Sequence, residues 1–421
     1  MSILKNSNKF KKGKFENIEI EFNLDENSTS DDNSLVKKFN EIYDGSLCNF
    51  TENKAASHFN YKKRTEEEFL EHHAELLNFA EDIRNSEANV YFFGIGGSNI
   101  APKIFYDLYK DKGNNKFHFI TGSDPEEFES IKVSDSDIAV IASKSFSTLE
   151  TLDSYDKVCG KRVLKNTFAI TSNISAATNF GIPKNNILKL NNDTGGRFSA
   201  WSPVNIVLPI LIGKEGFNSF LDGGLKMDKI CLDNENNPAL LLSISDVLIR
   251  KSSNSIVVLN YDFKLRNFFE FAQQIEMESN GKSFNINNEL VKNNTYLLFG
   301  GYGPKCQHSF FQSLFQGSEH INTYFIAEKT DNLNYKQMKA QVHSLRNPEI
   351  EISNNVENPH LSTRKQPVTV VELDDLTPCS IGQLFSLWEN KSIFNSLHYS
   401  TNAFDQFGVE LGKKNTKKFL Q

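Results

Sequence analysis

From residue 89 onward, short apolar runs alternate with helix-length amphipathic segments, and this alternation constrains the possible fold more than any other feature. The predicted strands fall into two sets: residues 89–93, 117–120, 138–142, 168–171 and 187–190, and residues 255–259, 296–299, 323–327 and 367–372. Short apolar strands separated by helical stretches are typical of a parallel sheet covered on both faces. The sequence therefore predicts two doubly wound α/β domains in series, with flanking helices.

Apolar residues at helical spacing predict the helices that flank these strands. We expect an amphipathic helix at residues 65–84, a helical segment up to about residue 109, further helices at 264–277, 309–315, 333–345 and 380–394, and a helical tail from about residue 404. The polar stretch 231–238 is the expected boundary, and 421 residues suit two or three domains. The predicted organisation is an N-terminal extension and helix at 1–84, a first domain at 85–232, a second at 233–403 and a C-terminal helical tail at 404–421.

Charge and cysteine usage exclude several classes of protein. The 46 basic and 53 acidic residues leave a net charge of −7, which argues against a general nucleic-acid binder. The five cysteines lie more than 70 residues apart and form no CxxC pair, so we expect reduced thiols and no zinc site. The longest apolar run, residues 206–212, contains a proline and is far shorter than the roughly 18 residues of a membrane helix. We expect a soluble cytoplasmic protein without a signal peptide, in which the five lysines of the first 14 residues belong to a solvated tail.

Two loops that follow predicted strands are candidates for ligand binding. Residues 94–98 read GIGGS, which lets backbone amides approach an anion or a sugar closely, but a tight structural turn is an equally good interpretation. Because Asn99 stands where the dinucleotide fingerprint needs a third glycine, a nicotinamide cofactor is not favoured. Residues 143–148 read SKSFST, a set of hydroxyls and a lysine at a strand-to-helix turn. For Ser143, Ser145 and Thr148 a phosphate site is favoured over a helix cap with solvated neighbours.

Four further side chains could take part in chemistry, although each also has an ordinary structural interpretation. Arg197 follows a glycine pair and could contact an anion, but most lone arginines form surface ion pairs. Glu278 lies at a predicted helix end, where the dipole tends to raise a carboxyl pKa, but an exposed acid is the more common case. His308 follows a glycine-rich loop and could be an acid or base, while Lys413 by itself reads as part of a basic tail.

Six segments, taken together and in this order, resemble the glucose-6-phosphate isomerase (phosphoglucose isomerase) family. They span roughly three-quarters of the chain. The last and the fourth are the most specific to that family, whereas the first alone would not be. The segments are GIGGS (94–98), SKSFSTLET (143–151), GGRFSAWSPV (195–204), QQIEMESNGK (273–282), QHSFFQSLFQG (307–317) and FDQFGVELGK (404–413).

The resemblance implies two sugar-isomerase (SIS) domains that interconvert glucose 6-phosphate and fructose 6-phosphate through a cis-enediol, in glycolysis and gluconeogenesis, without metal or cofactor. It also implies a homodimer in which His308 is donated across the interface. Carried over residue by residue, it assigns Glu278 as the base, Arg197 as the enediolate stabiliser, and His308 and Lys413 as the ring-opening pair. The implied binding residues are Ser143, Lys144, Ser145 and Thr148 for the phosphate, Gly97 and Ser98 for the sugar, and Gln274 for the ligand.

The chemical properties of these residues, considered without the family, are consistent with this reaction. One carboxylate can take a proton from C2 and return it to C1, and a guanidinium can stabilise the enediolate because it stays charged throughout. A SIS protein that only senses sugar phosphate is the alternative, but such a sensor would not need Glu278, Arg197, His308 and Lys413. Acceptance of mannose 6-phosphate as a further substrate is a third hypothesis that the sequence leaves open.

Overall fold

The computed structural model describes residues 10–25, 32–46, 48–49, 51–160, 164–294, 296–353 and 356–420. The strands within these ranges are β1 (Phe10–Phe15), β2 (Ile18–Asp25), β3 (Val90–Phe93), β4 (Phe117–Ile120), β5 (Ile138–Ala142), β6 (Thr167–Thr171), β7 (Ile187–Lys189), β8 (Ser255–Asn260), β9 (Leu297–Tyr302), β10 (Asn322–Glu328) and β11 (Val368–Leu373).

The α-helices are α1 (Asn33–Tyr43), α2 (His58–Lys63), α3 (Glu67–Ser86), α4 (Ile100–Tyr109), α5 (Leu149–Val158), α6 (Ile174–Phe180), α7 (Val207–Cys231), α8 (Pro238–Ile249), α9 (Phe268–Asn280), α10 (Gly303–Gln307), α11 (Phe311–Gln316), α12 (Leu333–Arg346), α13 (Pro378–His398) and α14 (Phe407–Phe419). Short 3₁₀ turns connect several of these elements.

The chain divides into two compact units. The first contains residues 57–226 and 376–383, and the second contains the described residues before 57 together with 227–375 and 384–420. The residues before 57 thus group with the second unit. The boundaries expected from the sequence at 84/85 and 232/233 remain predictions.

The first unit is built on a five-stranded sheet with the order β4-β3-β5-β6-β7, in which every neighbouring pair is parallel. All residues of β3 and β5 are buried, as expected for central strands covered on both faces. The chain passes from β3 outward to β4 and then returns to the other side of β3 to form β5. The loops after β3 and β5 therefore leave the same edge of the sheet at a topological switch point, where open α/β sheets bind ligands.

The second unit is built on a mixed six-stranded sheet with the order β1-β2-β11-β10-β8-β9. Its four strands β8–β11 are parallel, as predicted, and their apolar side chains pack with α12 around a core that includes Phe325 and Met338. Strand β2 pairs antiparallel with β11, and β1 pairs antiparallel with β2. This hairpin extends the sheet beyond the strands that the sequence analysis predicted.

The hairpin corrects the expectation that the lysine-rich start of the chain is a solvated tail. Residues 10–15 form β1, and the alternating residues of β2 bury Ile18, Ile20 and Phe22 in the sheet. The β1 lysines are tolerated because carboxylates lie beside them: Lys12 forms an ion pair with Glu21. Residues 1–9, which carry the other two lysines, lie outside the described residues.

The sequence analysis did not predict helices α1, α2, α6, α7, α8 and α10. The start of α7 and most of α8 are buried, so their apolar residues show no clear helical period. Residues 207–212, noted in the sequence only as part of an apolar run, form the start of α7, where nearly every side chain is buried. The helices that the sequence analysis did predict are confirmed, with ends that differ by a few residues. Among the described residues, no helix combines the length and the hydrophobicity required to cross a membrane.

Candidate active site

The loop after β3 contacts the loop that carries Arg197, and both belong to the first unit. Gly97 lies in a 3₁₀ turn, where a Cβ atom would overlap the carbonyl oxygen of Gly196. The Ser199 hydroxyl donates a hydrogen bond to the Gly97 carbonyl at 3.2 Å. The close approach of the two backbones therefore requires a glycine at position 97, and it places Ser98 beside the Arg197 loop.

Hydroxyl groups converge in the loop between β5 and α5. Ser143 and Thr148 share a hydrogen bond of 2.9 Å between their hydroxyl oxygens, and Ser145 and Ser147 share one of 2.7 Å. Thr148 is the N-cap of the ten-residue helix α5, whose first amides are directed toward this loop. Hydroxyl donors at a helix N-terminus are suited to holding an anion such as a phosphate group.

Phe146 holds this loop in its observed conformation. Its φ of 49° lies in the left-handed region, which is uncommon for an aromatic residue. The ring is buried in the core of the first unit and packs edge-to-face on Phe180, with 5.6 Å between ring centroids. Packing of the ring therefore maintains a strained backbone in the middle of the hydroxyl cluster.

The two cationic candidate residues of the first unit, Lys144 and Arg197, belong to neighbouring loops. Lys144 donates a hydrogen bond from its Nζ to the carbonyl oxygen of Thr194 at 2.8 Å. This bond joins the hydroxyl-rich loop to the segment that leads into Arg197, whose side chain is only 3% exposed. The first unit thus gathers Gly97, Ser98, the 143–148 loop and Arg197 at one edge of its sheet.

Glu278 lies on the last turn of α9, in the second unit. Its Oε2 accepts a hydrogen bond of 3.0 Å from Nε2 of Gln274, one turn earlier on the same helix. The Nζ of Lys282 donates to the Glu278 carbonyl at 2.8 Å, which satisfies one of the free carbonyls at the helix end. The carboxylate is partly exposed and oriented by an amide, so it is accessible to a ligand.

His308 follows β9 and the short helix α10. The adjacent Gln307 is held by the Tyr261 hydroxyl, which donates to its Oε1 at 3.0 Å. A Cβ at Gly303 would overlap the Tyr261 ring, so the glycine allows this close packing. The imidazole of His308 is exposed, and no described residue forms a hydrogen bond with it.

Lys413 lies on α14, a helix in which no residue is buried. Its Nζ pairs with Glu410 of the same helix at 3.0 Å and not with Glu278 or His308. An ion pair of 3.5 Å between Lys282 and Asp405 joins the end of α9 to the segment before α14. The structure therefore links the ESNGK and FDQ segments without bringing the Lys413 side chain onto Glu278.

In the parts of the chain that the structure describes, no three His, Cys, Asp or Glu side chains are grouped so that they could hold a metal ion.

The model of the family described as phosphoglucose isomerase matches residues 19–421. The chain belongs to the phosphoglucose isomerase family. Two relatives are the glucose-6-phosphate isomerase of Shewanella woodyi, 30% identical with 91% of this chain and 82% of the relative covered, and that of Francisella tularensis subsp. mediasiatica, 29% identical with 93% and 84% covered. A crystal structure of a glucose-6-phosphate isomerase from Chlamydia trachomatis has the same fold, with a TM-score of 0.84, 23% identity, and coverage of 97% of this chain and 89% of that one.

As a member of the phosphoglucose isomerase family, the chain is an aldose–ketose isomerase, and the family interconverts glucose 6-phosphate and fructose 6-phosphate in sugar metabolism. Three residues that hold the loops of the candidate site in place were not predicted from the sequence: Ser147, Phe146 and Thr194. Ser147 had a visible signal, because it is one of four hydroxyls in a six-residue loop. The left-handed backbone of Phe146 and the Lys144–Thr194 hydrogen bond had none, because both depend on packing between distant segments.

Proposed function

We propose that this isomerase interconverts glucose 6-phosphate and fructose 6-phosphate with Glu278 as the base that moves a proton between C2 and C1. The observation that carries the proposal is the carboxylate of Glu278, which is partly exposed and held by the Gln274 amide at 3.0 Å. A carboxylate held in this way can take the C2 proton, leave a cis-enediol and return the proton to C1. Gln274 also contacts the ligand in this proposal.

The phosphate group would bind in the loop between β5 and α5. The Ser143, Ser145 and Thr148 hydroxyls donate to it, together with the first amides of α5, and Lys144 adds positive charge. Gly97 and Ser98 line the sugar, which is fixed by its distant phosphate so that C1 and C2 are held in place.

Arg197 would stabilise the negative charge that develops on the enediolate. Its guanidinium is buried, and the guanidinium group is the cation best suited to a buried site beside an anion. A fixed cation beside a developing oxyanion stabilises the transition state more than the neutral substrate.

His308 and Lys413 would open the sugar ring before the proton transfer, and the active enzyme would be a cytoplasmic homodimer. The support for the dimer is the exposed imidazole of His308, which no described residue of its own chain engages. In the dimer, His308 would act in the site of the partner subunit.

Replacement Glu278→Gln tests the proposed base. The amide keeps the size of the side chain but accepts no proton, so turnover should fall by at least about a hundredfold while KM for fructose 6-phosphate changes little. The matched control is Glu270→Gln, a change on the first turn of the same helix, which should leave both kinetic parameters unchanged. The measurement is a coupled assay with fructose 6-phosphate in the presence of a chelator. Near-normal turnover of the Glu278 variant would remove this residue from the mechanism.

The same assay separates the isomerase from a sensor of sugar phosphate. The wild-type protein should convert fructose 6-phosphate into glucose 6-phosphate, and calorimetry should show that it binds fructose 6-phosphate. Binding without any turnover by the wild type would favour the sensor.

A further inference from the structure

A cluster of charged side chains is buried in the second unit and includes none of the residues that were assigned to the reaction above. Lys391 of α13 lies between Asp246 of α8 and Glu276 of α9, and none of the three is more than 1% exposed. The Nζ of Lys391 is 2.7 Å from Oδ2 of Asp246 and 2.6 Å from Oε1 of Glu276. One ammonium group therefore bridges two carboxylates away from water.

Both carboxylates have hydrogen-bond partners beyond the lysine. Oε2 of Glu276 accepts from the Tyr296 hydroxyl at 2.7 Å and from Asn395 at 3.1 Å. Oδ1 of Asp246 accepts from the Tyr324 hydroxyl at 2.6 Å. Such bonds satisfy the oxygens that the lysine does not reach, as a buried ionic group requires.

The charges in this cluster balance. Arg250 is a second cation, with its guanidinium 3.9 Å from the centre of the Tyr296 ring, so two positive groups face two negative ones. Burial by itself would raise the pKa of Asp246, but the charges of Lys391 and Arg250 lower it below its usual value. Burial would likewise lower the pKa of Lys391, but the two carboxylates raise it. These opposing effects favour the charged forms of Asp246 and Lys391.

The cluster is attached to the turn of α9 that carries Glu278. Glu276 precedes Glu278 by two residues, and Asn280 follows it by two. Asn280 donates to the Ser392 hydroxyl at 3.0 Å and to Oε2 of Glu276 at 3.2 Å. The residues on both sides of Glu278 are thus bonded to the part of α13 that contains Lys391.

A buried ion cluster is a weak source of stability, because desolvation of the charges offsets their attraction and apolar side chains can often replace them without loss. Its hydrogen bonds do, however, fix how each contributing helix is rotated about its own axis and how deeply it packs into the unit. We propose that Lys391, by bridging Asp246 and Glu276, is a positioning residue for the isomerisation: it fixes the last turn of α9 and with it the carboxylate of Glu278. This inference rests on the proposed role of Glu278 as the base.

The charge of the cluster provides a signature that structural damage alone would not produce. The titratable and charged groups that face this end of α9 are Lys282 at the Glu278 carbonyl, Asp405 in an ion pair with Lys282 and, within the cluster, Asp246, Arg250, Glu276, Tyr296, Tyr324 and Lys391. His398 also interacts electrostatically with Asp246 and Arg250. Loss of the lysine leaves an excess negative charge near Glu278, whereas loss of the Glu276 charge leaves an excess positive one. A nearby negative charge raises a carboxyl pKa and a positive charge lowers it.

The test compares the pH dependence of kcat/KM for fructose 6-phosphate in Lys391→Met, Glu276→Gln and the double variant. The acidic limb should move to higher pH in Lys391→Met, to lower pH in Glu276→Gln, and back toward the wild-type position in the double variant, where neutrality is restored. In Lys391→Met, kcat should fall by about tenfold or more while KM stays within about threefold, because phosphate and sugar contacts are untouched.

The control is Arg346→Met, which breaks a buried ion pair of the same unit outside α9. Arg346 is 2.6 Å from Glu21, and both side chains are largely buried. This variant should lower the melting temperature but leave kcat and the acidic limb unchanged. If it changes them as Lys391→Met does, the cluster has no special relation to Glu278.

The inference is overturned if the acidic limb of the pH profile of kcat/KM shifts in the same direction in both single variants. It is also overturned if the limb shifts in neither of them. If Lys391→Met does not fold, Glu276→Gln and the double variant decide, since an unshifted limb in Glu276→Gln is sufficient to reject it. Failure of the proposed function is seen separately: it appears as a Glu278→Gln protein that still turns over substrate.

Discussion

At the scale of single residues, Gly97 is a position of the candidate site where a side chain has no space. Its backbone contacts Gly196 so closely that a methyl group has no space. The three atoms nearest to an added Cβ belong to the backbone of Gly196 and Arg197, which cannot rotate away as a side chain could. We expect Gly97→Ala to separate the two loops and lower kcat/KM for fructose 6-phosphate by at least about tenfold, since displacement of positioning groups is costly in catalysis.

The control for this change is Gly408→Ala, because an added Cβ at Gly408 meets no atom within 4 Å. It should leave kcat/KM and the melting temperature unchanged. A Gly97→Ala enzyme with wild-type kinetics would show that the contact between the two loops does not matter for the reaction.

At the scale of elements, the loop between β5 and α5 has one task in the proposed reaction, to hold phosphate. Ser145→Ala combined with Thr148→Ala removes two hydroxyl donors, so KM for fructose 6-phosphate should rise about tenfold or more, while Glu278 and kcat are less affected. Steady-state kinetics measure both parameters.

The chain offers a matched control for that double variant. Ser134 and Ser136 form an exposed hydroxyl–hydroxyl bond of 3.0 Å in the loop before β5, in the same unit. Ser134→Ala with Ser136→Ala should therefore leave KM unchanged. If KM and kcat were unchanged in both double variants, the phosphate group would have to bind elsewhere.

The β1–β2 hairpin should make part of the stability pH-dependent through Glu21. Burial alone would raise the pKa of Glu21, but hydrogen bonds from Lys12 and Arg346 lower it to about 2 from the usual 4.5. An acid with a lowered pKa stabilises the fold above its unfolded pKa and loses this contribution as the pH falls through the folded value. We expect Glu21→Gln to reduce the free energy of unfolding by about 1–2 kcal/mol at pH 7, after allowance for solvent screening.

Urea unfolding from pH 7 downward measures this effect. The difference between wild type and Glu21→Gln should narrow below about pH 4.5 and be nearly absent near pH 2. Glu41→Gln, a change of an exposed acid on α1, is the control and should show no such dependence. A difference that stays constant from pH 7 to pH 3 would contradict the role of the Glu21 ion pairs.

At the scale of the whole molecule, the proposed homodimer predicts complementation between two inactive variants. If His308 acts in the partner's site, a mixed dimer of Glu278→Gln and His308→Asn chains contains one site with a native Glu278 and a native His308. Random reassociation of equal amounts should restore about a quarter of wild-type activity, because half of the dimers are mixed and each has one active site. The measurement is isomerase activity before and after denaturation and refolding of the mixture, and refolding of each variant alone is the control. A mixture no more active than its components would place His308 in the site of its own chain.

Most of the fold and the chemistry-bearing loops were predictable from local patterns. A buried parallel strand is a short apolar run, so the cores of β3–β11 could be placed to within a few residues, and a glycine- or hydroxyl-rich loop after such a run marks the edge of a sheet where ligands bind. Local patterns failed for the start of α7, where nearly every side chain is buried, and for β1, whose lysines read as a tail until their carboxylate partners are known.

The sequence by itself determined the parallel strands of the two sheets, the family and the kinds of side chain available for binding and proton transfer. Only the tertiary structure decided which of those side chains meet: the contact of Gly97 with Gly196, the bond from Lys144 to Thr194, and the position of Lys391 between Asp246 and Glu276. The physical reason is that periodicity and turn chemistry act over a few residues. These contacts instead join segments 50 to 145 positions apart, which only the packing of the finished fold brings together.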